Sequence, residues 1–301
     1  MNSDSRYIGR FAPSPTGPLH IGSLIAALAS YLDAKANHGA WLLRIENLDP
    51  PREMPGANEQ IIECLKQHHL NWDGELLWQS DRHAIYQRVM KQLLDQQKAF
   101  YCSCSRADIQ NSGGIYNGHC RGQRHSADQV CAVRLQVDDQ RITFNDQIQG
   151  DFSQQLQQQV GDFVIRRKDG LFAYQLAVVI DDALQGVTHV VRGSDLLDST
   201  PRQIFLQQQC GFATPHYSHL PVITNEAGQK LSKQTFAVAL NNNLATDNLL
   251  KALFFLNQVL PPPSMRQDCQ SILHWAIAHW QPSQVSTQLS RQHNVLDSFA
   301  C

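Results

Sequence analysis

The chain has 301 residues, 42% hydrophobic residues and a formal net charge of −2. These values predict a globular protein of roughly two domains, and they disfavour a disordered chain or a strongly basic nucleic-acid-binding protein. No run approaches the roughly 18 apolar residues that a membrane-spanning helix needs, and the N-terminus lacks the basic-then-apolar order of a secretory signal. We therefore expect a cytoplasmic protein whose eight cysteines are reduced or metal-bound.

The first elements predict a strand, a loop and a helix. Residues 6–11 form the predicted strand, and a loop rich in Pro and Gly leads to a helix that begins at His20, with Gly39 placed to cap its end. A helix N-terminus exposes unpaired N–H groups and attracts phosphate. His20 can add donors there, and Gly22 lets a nucleotide lie close to the backbone. A strand–turn–helix of any α/β protein is the alternative.

The next strand ends at Glu46 and completes a β–α–β unit of a parallel sheet. Ligands of open α/β sheets bind beyond such strand ends, so Glu46 is a candidate ligand-binding residue. Its alternative role is as an ion-pair partner of Arg44 or Arg52. Arg10 ends the first strand, where a guanidinium can hold a carboxylate bidentately, and Ser14 belongs to the loop that follows.

Two packing helices then lead to a segment rich in Cys and Gly. Cys102 and Cys104 lie one residue apart, and Cys120 follows a glycine-rich turn. This clustering predicts a structural zinc site, which would give rigidity to an insertion with little apolar content. Free cytosolic cysteines are the alternative. The spacing leaves the fourth ligand open, and four residues lie within range: Tyr116, His119, His125 and Cys131.

Residues 162–182 predict a β-hairpin with an Asp-Gly turn at residues 169–170. Tyr174 would then lie on the second strand and project towards the site, unless it is a buried structural tyrosine. A further strand over residues 187–191 precedes Arg192, again at the end of a strand where ligands bind.

A polar segment at residues 228–234 carries Lys230 and Lys233. Two ammonium groups on a mobile loop can neutralise the β- and γ-phosphates as charge moves onto pyrophosphate. Taken alone, the segment could equally be a solvated surface loop. Helices are predicted beyond residue 245, the last of them over residues 283–301.

Together, the His-Ile-Gly-Ser run at residues 20–23 and the Lys-Leu-Ser-Lys-Gln run at residues 230–234 resemble the two signatures of the glutamyl-tRNA synthetases. The chain is most similar to the short paralogues in that family, the glutamyl-Q tRNA(Asp) synthetases. The resemblance covers about residues 6–240 and includes the Leu-Arg-Ile-Glu-Asn-Leu-Asp run around Glu46 and the Phe-Ala-Tyr-Gln-Leu-Ala-Val-Val-Ile-Asp-Asp run around Tyr174.

The resemblance implies an α/β fold with a Rossmann-like parallel-sheet catalytic domain over residues 1–240. It implies a zinc-containing insertion at about residues 98–185, with the metal site at about residues 100–121. A small helical C-terminal segment over residues 241–301 would replace the anticodon-binding domain of the full synthetases, for which no room is expected.

The resemblance also implies a role for each candidate residue. The catalytic residues would be His20, Lys230 and Lys233, and ATP would be bound by His20, Gly22, Lys230, Ser232 and Lys233. Glutamate would be bound by Arg10, Ser14, Glu46, Tyr174 and Arg192. In that set the arginines select the acidic side chain, Glu46 holds the α-ammonium, and Tyr174 forms a wall. One structural Zn²⁺ would be held by Cys102, Cys104, Tyr116 and Cys120.

The implied reaction has two steps. Glutamate would attack Mg²⁺-bound ATP without any need for tRNA, and the glutamyl group would then pass to the queuosine base at the wobble position of tRNA(Asp). The expected partners are ATP, L-glutamate and the tRNA(Asp) anticodon stem-loop, and the chain is expected to be a monomer with no membrane contact. The alternatives are a truncated glutamyl-tRNA synthetase charging the 3′ end of tRNA(Glu), a non-catalytic RNA-binding paralogue, and a small-molecule nucleotidylyltransferase.

Overall fold

The fold is described from a computed structural model over residues 6–123, 125, 130–231, 238–296 and 299. Parallel strands alternate with helices, which agrees with the predicted α/β class. The helices are α1 Ile21–Ala36, α2 Ala57–Gln67, α3 His83–Asp95, α4 Arg106–Asn111, α5 Leu156–Gln159, α6 Tyr174–Leu184, α7 Thr200–Cys210, α8 Ala245–Phe255 and α9 Cys269–Ala278. The strands are β1 Ile8–Phe11, β2 Ala40–Ile45, β3 Leu77–Trp78, β4 Ala99–Cys102, β5 Ala132–Leu135, β6 Arg141–Asp146, β7 Gly150–Gln155, β8 Phe163–Arg166, β9 His189–Gly193, β10 His216–Leu220, β11 Val222–Thr224 and β12 Ser290–Gln292.

Two sets of strands lie side by side and form the main β-layer. One is the parallel set β1-β2-β3, and the other has the order β7-β6-β10-β9, in which β6, β10 and β9 are parallel. The amide of Thr188, just before β9, donates to the carbonyl of Ile8 at 2.9 Å and brings β1 alongside β9. The carboxyl ends of β1, β2, β9 and β10 therefore face one region, the place where open α/β sheets bind ligands.

Helix α1 is buried between this layer and the C-terminal helices. Its apolar residues share one hydrophobic cluster with β1, β2, α8 and α9. Trp280 donates its indole N–H to the buried Asp33 of α1 at 2.8 Å, which fixes the segment after α9. Within the described residues, no helix is both long and apolar enough to cross a membrane.

Two local details differ from the expectations. The Gly39 amide does cap α1 by donating to the Ala34 carbonyl at 2.8 Å, but the residue in the left-handed region is His38, with a φ of 53°. Gly39 is required for another reason: a Cβ there would lie 2.4 Å from the Tyr7 carbonyl oxygen. Residues 162–182 form β8, an Asp-Gly turn and an isolated bridge between Arg166 and Phe172, after which the chain enters α6.

The end of the chain also differs from the helix predicted over residues 283–301. Short 3₁₀ turns flank β12, which pairs in parallel with β11. A strand forms there instead of a helix because β11 has an open edge whose backbone groups need hydrogen-bond partners. As a result, the last strand supports the segment that leads to Lys230.

Candidate functional site

A cavity of about 790 Å³ opens at the carboxyl ends of the central strands. The predicted site residues that line it are Arg10, Ser14, His20, Gly22, Glu46, Tyr174, Arg192 and Lys230. The structure thus brings together residues that are more than 200 positions apart in the sequence. Ser232 and Lys233 lie outside the described residues.

The N-terminus of α1 forms one wall of this cavity. His20 is the N-cap residue, and its Nδ1 accepts a hydrogen bond from the Ser23 amide at 3.3 Å. A neutral ring that accepts at Nδ1 carries its proton on Nε2, which makes that atom a donor. No acidic side chain lies in the first turn of α1, so the end of the helix keeps its attraction for anions.

The missing side chain of Gly22 leaves room for the His20 ring. A Cβ at residue 22 would lie 3.1 Å from Cε1 and 3.2 Å from Nδ1 of His20. The absent side chain therefore lets the imidazole lie over the first turn, in addition to leaving room for a ligand.

Arg10 is held in place by a buried carboxylate on α6. Its Nε lies 3.2 Å from Oδ1 of Asp182, and Arg44 Nη2 lies 2.8 Å from the same oxygen. Two guanidinium groups thus share one carboxylate. Burial alone would raise the pKa of Asp182, but the attraction of Arg10 and Arg44 outweighs it and holds this pKa below its usual range. Sequence reasoning assigned no role to Asp182, although an acidic pair in an otherwise apolar helix was a signal.

Glu46 fits both roles that the sequence allows, as an ion-pair partner of Arg44 and as a ligand-binding residue. Its Oε1 is 3.5 Å from Arg44 Nη2, and its carboxylate also lines the cavity. Burial raises the pKa of Glu46 to about 7, against the opposing attraction of Arg44 and Arg10. A ligand ammonium would stabilise the ionised form of Glu46 and lower this pKa again.

Tyr174 is the first residue of α6, rather than part of a strand, and still lines the cavity. Burial raises the pKa of its phenol, so it is a neutral wall. Ser14 lies in the loop after β1 and lines the same space.

Arg192 at the end of β9 is a buried cation whose described partners are all uncharged. Its Nε donates to His219 Nε2 at 3.0 Å, its Nη1 to Gln203 Oε1 at 2.8 Å and its Nη2 to Thr200 Oγ1 at 2.7 Å. In the part of the chain that the structure describes, no carboxylate lies within 4.0 Å of it. Buried charges are normally compensated, so Arg192 is suited to hold an anionic ligand group.

Lys230 enters the cavity from the segment after β11. An isolated bridge between Thr224 and Lys230 closes the turn, and the Lys230 ammonium lies 2.6 Å from Asp195 Oδ2. The Lys230 side chain is 44% exposed, so it can move towards a phosphate without the cost of leaving a buried pair.

A separate cluster of cysteines lies at the end of β4. The sulfur atoms of Cys102, Cys104 and Cys120 all lie within 4.8 Å of one another. Cys104 Sγ and Cys120 Sγ are 3.5 Å apart, and the Tyr116 oxygen is 3.4 Å from Cys102 Sγ. Four ligands at about 2.3 Å from a tetrahedral zinc would be roughly 3.8 Å apart, so the three thiols are compatible with a zinc ion, and the Tyr116 oxygen lies beside them.

Arg134 on β5 supplies positive charge beside this cluster. Its Nε donates to Cys102 Sγ at 3.3 Å, and its guanidinium lies 4.1 Å from the centre of the Tyr116 ring. His119, His125 and Cys131 are not part of the group of His, Cys, Asp and Glu ligand atoms that lie close together among the described residues. The His125 side chain nevertheless hydrogen-bonds to the Cys120 thiol, so Tyr116 as the fourth ligand stays a prediction.

Comparisons with known proteins agree with this architecture. The family model described as tRNA synthetases class I (E and Q), catalytic domain, matches residues 8–260. The chain is 50% identical over 288 residues to the glutamyl-Q tRNA(Asp) synthetase of Pseudomonas entomophila strain L48, covering 96% of this chain and 97% of that protein. It is 51% identical over 282 residues to the Ectopseudomonas mendocina strain ymp protein of the same name, and this match covers 94% of this chain and 96% of that protein.

Solved structures give the same result. The glutamate–tRNA synthetase of Elizabethkingia anophelis matches with a TM-score of 0.80 at 25% identity, over 97% of this chain and 69% of that one. The glutamate tRNA ligase of Elizabethkingia meningosepticum CCUG26117 was solved in complex with its amino acid. It matches with a TM-score of 0.79 at 25% identity, and the match covers 96% of this chain and 67% of that one. These matches confirm the resemblance that the two signature segments indicate.

Proposed function

Because the chain belongs to the class I glutamyl- and glutaminyl-tRNA synthetase family, we propose that it is a ligase that activates L-glutamate with ATP. The glutamyl-adenylate forms without tRNA, and the glutamyl group then passes to the queuosine base at the wobble position of tRNA(Asp). The identity of the acceptor is supported by the names of relatives that match nearly the whole chain.

One observation carries the choice of amino acid. Arg10, Glu46 and Arg192 line the same cavity, and they complement an amino dicarboxylate: the two arginines suit its acidic side chain and Glu46 suits its α-ammonium. Arg10 and Arg44 pair with the carboxylates of Asp182 and Glu46, and the buried Arg192 adds a third guanidinium that has no carboxylate partner among the described residues. The excess positive charge matches the net negative charge of glutamate.

The same arrangement rejects glutamine. Its neutral amide would leave Arg192 without an anionic partner, and an amide N–H cannot accept from a guanidinium. A site built to bind a charged group discriminates strongly against an analogue that lacks the charge, because the buried partner is left unpaired.

The remaining residues provide for phosphoryl chemistry. In the activation step, an α-carboxylate oxygen of glutamate forms a bond to the α-phosphorus of ATP, and the bond to the bridging oxygen breaks as pyrophosphate leaves with the electron pair. The N-terminus of α1 and the donor on His20 face the phosphates, and Lys230 can neutralise the leaving group. Lys233 and Ser232 are proposed to act with it, and Mg²⁺ accompanies ATP. Catalysis therefore rests on positioning and charge, with no covalent enzyme intermediate.

We also propose that one structural zinc ion binds to Cys102, Cys104, Tyr116 and Cys120. Four protein ligands leave no open coordination position, so the ion would make the insertion rigid and take no part in the chemistry. The insertion, at about residues 98–185, has few apolar residues around this cluster to hold it by packing alone. A cytoplasmic location and a monomeric state complete the proposal.

Two assays test the function. Glutamate-dependent ATP–pyrophosphate exchange is measured with and without tRNA, and labelled glutamate is offered to tRNA(Asp) with and without queuosine. We expect exchange without tRNA, and labelling only of the queuosine-containing tRNA. Exchange that requires tRNA, with labelling of the 3′ end of tRNA(Glu), would instead show a truncated glutamyl-tRNA synthetase. No exchange under either condition would leave a non-catalytic tRNA-binding paralogue.

A further inference from the structure

A buried acid–histidine pair lies directly behind the cavity. Asp146 ends β6 and His219 lies on β10, and both side chains are 0% exposed. Oδ2 of Asp146 lies 2.6 Å from Nδ1 of His219. The other carboxylate oxygen accepts hydrogen bonds from the backbone amides of Ile148 at 3.0 Å, Gln149 at 2.8 Å and His219 at 3.1 Å. The acid is therefore fixed by four hydrogen bonds.

This geometry selects one form of the histidine ring. An ionised carboxylate can only accept, so the proton of His219 lies on Nδ1 and Nε2 is left as an acceptor. Nε2 receives the Nε–H of Arg192 at 3.0 Å. Burial lowers the pKa of His219, which favours the neutral ring. A protonated ring would turn an N–H towards the guanidinium.

The neutral His219 ring is one of several acceptors that hold the Arg192 guanidinium in a fixed orientation. Three of the five guanidinium N–H donors are used at 2.7 to 3.0 Å, by His219, Gln203 and Thr200. The Gln203 amide is oriented in turn, because its Nε2 donates to Gln175 Oε1 at 2.9 Å. The Leu196 carbonyl is a weak partner at 3.5 Å from Nη2. One further N–H remains on Nη1, and the second N–H of Nη2 has only this long contact to give up, so the two terminal nitrogens can together donate to a bidentate carboxylate.

We propose that Asp146 and His219 are positioning residues that fix the Arg192 guanidinium and thereby set the preference of the site for an acidic side chain over its amide. The proposal rests on the glutamate-activating function and adds a determinant of its specificity. The specificity of the site then depends also on the β6–β7 hairpin, because Asp146 is the last residue of β6. Asp146 lies 46 positions before Arg192 in the sequence.

Three substitutions separate positioning from general stability. Asp146→Asn turns an amide N–H towards His219, which then carries its proton on Nε2 and opposes Arg192. His219→Asn keeps a donor towards Asp146 but loses the acceptor for Arg192. His219→Gln places an oxygen where Nε2 lies and restores that acceptor. His274→Asn, on the exposed face of α9, is the matched control.

The readout is tRNA-free ATP–pyrophosphate exchange with glutamate and with glutamine, together with calorimetric titration of glutamate. For Asp146→Asn and His219→Asn we expect the KM for glutamate to rise about 10- to 100-fold, the range for a lost charge-assisted hydrogen bond. The KM for ATP should change less than about twofold, and the preference for glutamate over glutamine should shrink by the same factor as KM rises. His219→Gln should recover most of the affinity, and His274→Asn should match the wild type.

The proposal is wrong if His219→Asn and His219→Gln lose glutamate affinity equally, or if the KM values for ATP and glutamate rise together. A merely structural pair would give those results. A wild type that binds glutamate without catalysing exchange would refute the proposed function, while the titration would still test positioning through the same variants. A wild type that neither binds nor activates glutamate would refute both.

Discussion

Replacement of Glu46 by Gln should stabilise the protein at alkaline pH while it impairs glutamate binding. The pKa of Glu46 is raised from 4.5 to about 7, chiefly by burial and against the attraction of Arg44 and Arg10. The native state therefore binds the proton more tightly than the unfolded chain does. Stability falls as the pH rises through the window from 4.5 to 7, and the cost is fully present above pH 7.

The magnitude follows from the two pKa values. A carboxyl group whose pKa is raised from 4.5 to about 7 in the folded state lowers the free energy of unfolding by roughly 1 kcal/mol at pH 5 and by roughly 3 kcal/mol at pH 8. Glutamine resembles the neutral acid, so the stability of Glu46→Gln relative to wild type should increase by roughly 2 to 3 kcal/mol between these pH values. The KM for glutamate should nevertheless rise at pH 8, because the partner of the α-ammonium is lost.

Chemical denaturation at pH 5 and pH 8 measures the first effect, and ATP–pyrophosphate exchange measures the second. Glu75→Gln, which removes an exposed carboxylate, is the matched control. A stability difference between Glu46→Gln and wild type that is the same at both pH values would refute the burial argument. An unchanged KM for glutamate would refute the contact with the α-ammonium.

Three further substitutions test other parts of the account. Arg192→Gln should lower kcat/KM for glutamate about 100-fold, because a buried charge-assisted pair is lost, and the rate with glutamine should fall much less; a parallel fall in both rates would contradict this. Cys120→Ser should reduce bound zinc, measured by atomic absorption, from one equivalent to well below half, whereas Cys210→Ser should keep it. Gly22→Ala places a Cβ 3.1 Å from the His20 ring and should raise the KM for ATP about tenfold with little change for glutamate, as measured by exchange kinetics.

Most of the site could be predicted from the sequence because its residues lie at strand ends and at a helix start. Arg10 and Arg192 lie near the ends of apolar strands and Glu46 directly follows one, and parallel strands bring their carboxyl ends together. The part of the site assigned to phosphate was predictable for a similar reason, since His20 precedes a strongly periodic helix. The assigned roles of these residues stay predictions, although the structure places them around one cavity.

What could not be predicted depends on contacts between distant parts of the chain. Asp146 and His219 are 73 positions apart, and each looks like an ordinary polar residue in its own strand. The helical start at Tyr174 is another case: an Asp-Gly turn favoured a hairpin, but burial of α6 against the sheet decided the local structure. The last strand formed because β11 offered it a partner, which no local pattern reveals.

The most direct test of the central claim is the amino-acid dependence of ATP–pyrophosphate exchange in the complete absence of RNA. The account predicts rapid exchange with L-glutamate and a rate with L-glutamine that is lower by orders of magnitude, because two buried arginines require an anionic side chain. Comparable rates with both amino acids, or exchange that starts only when tRNA is added, would contradict it.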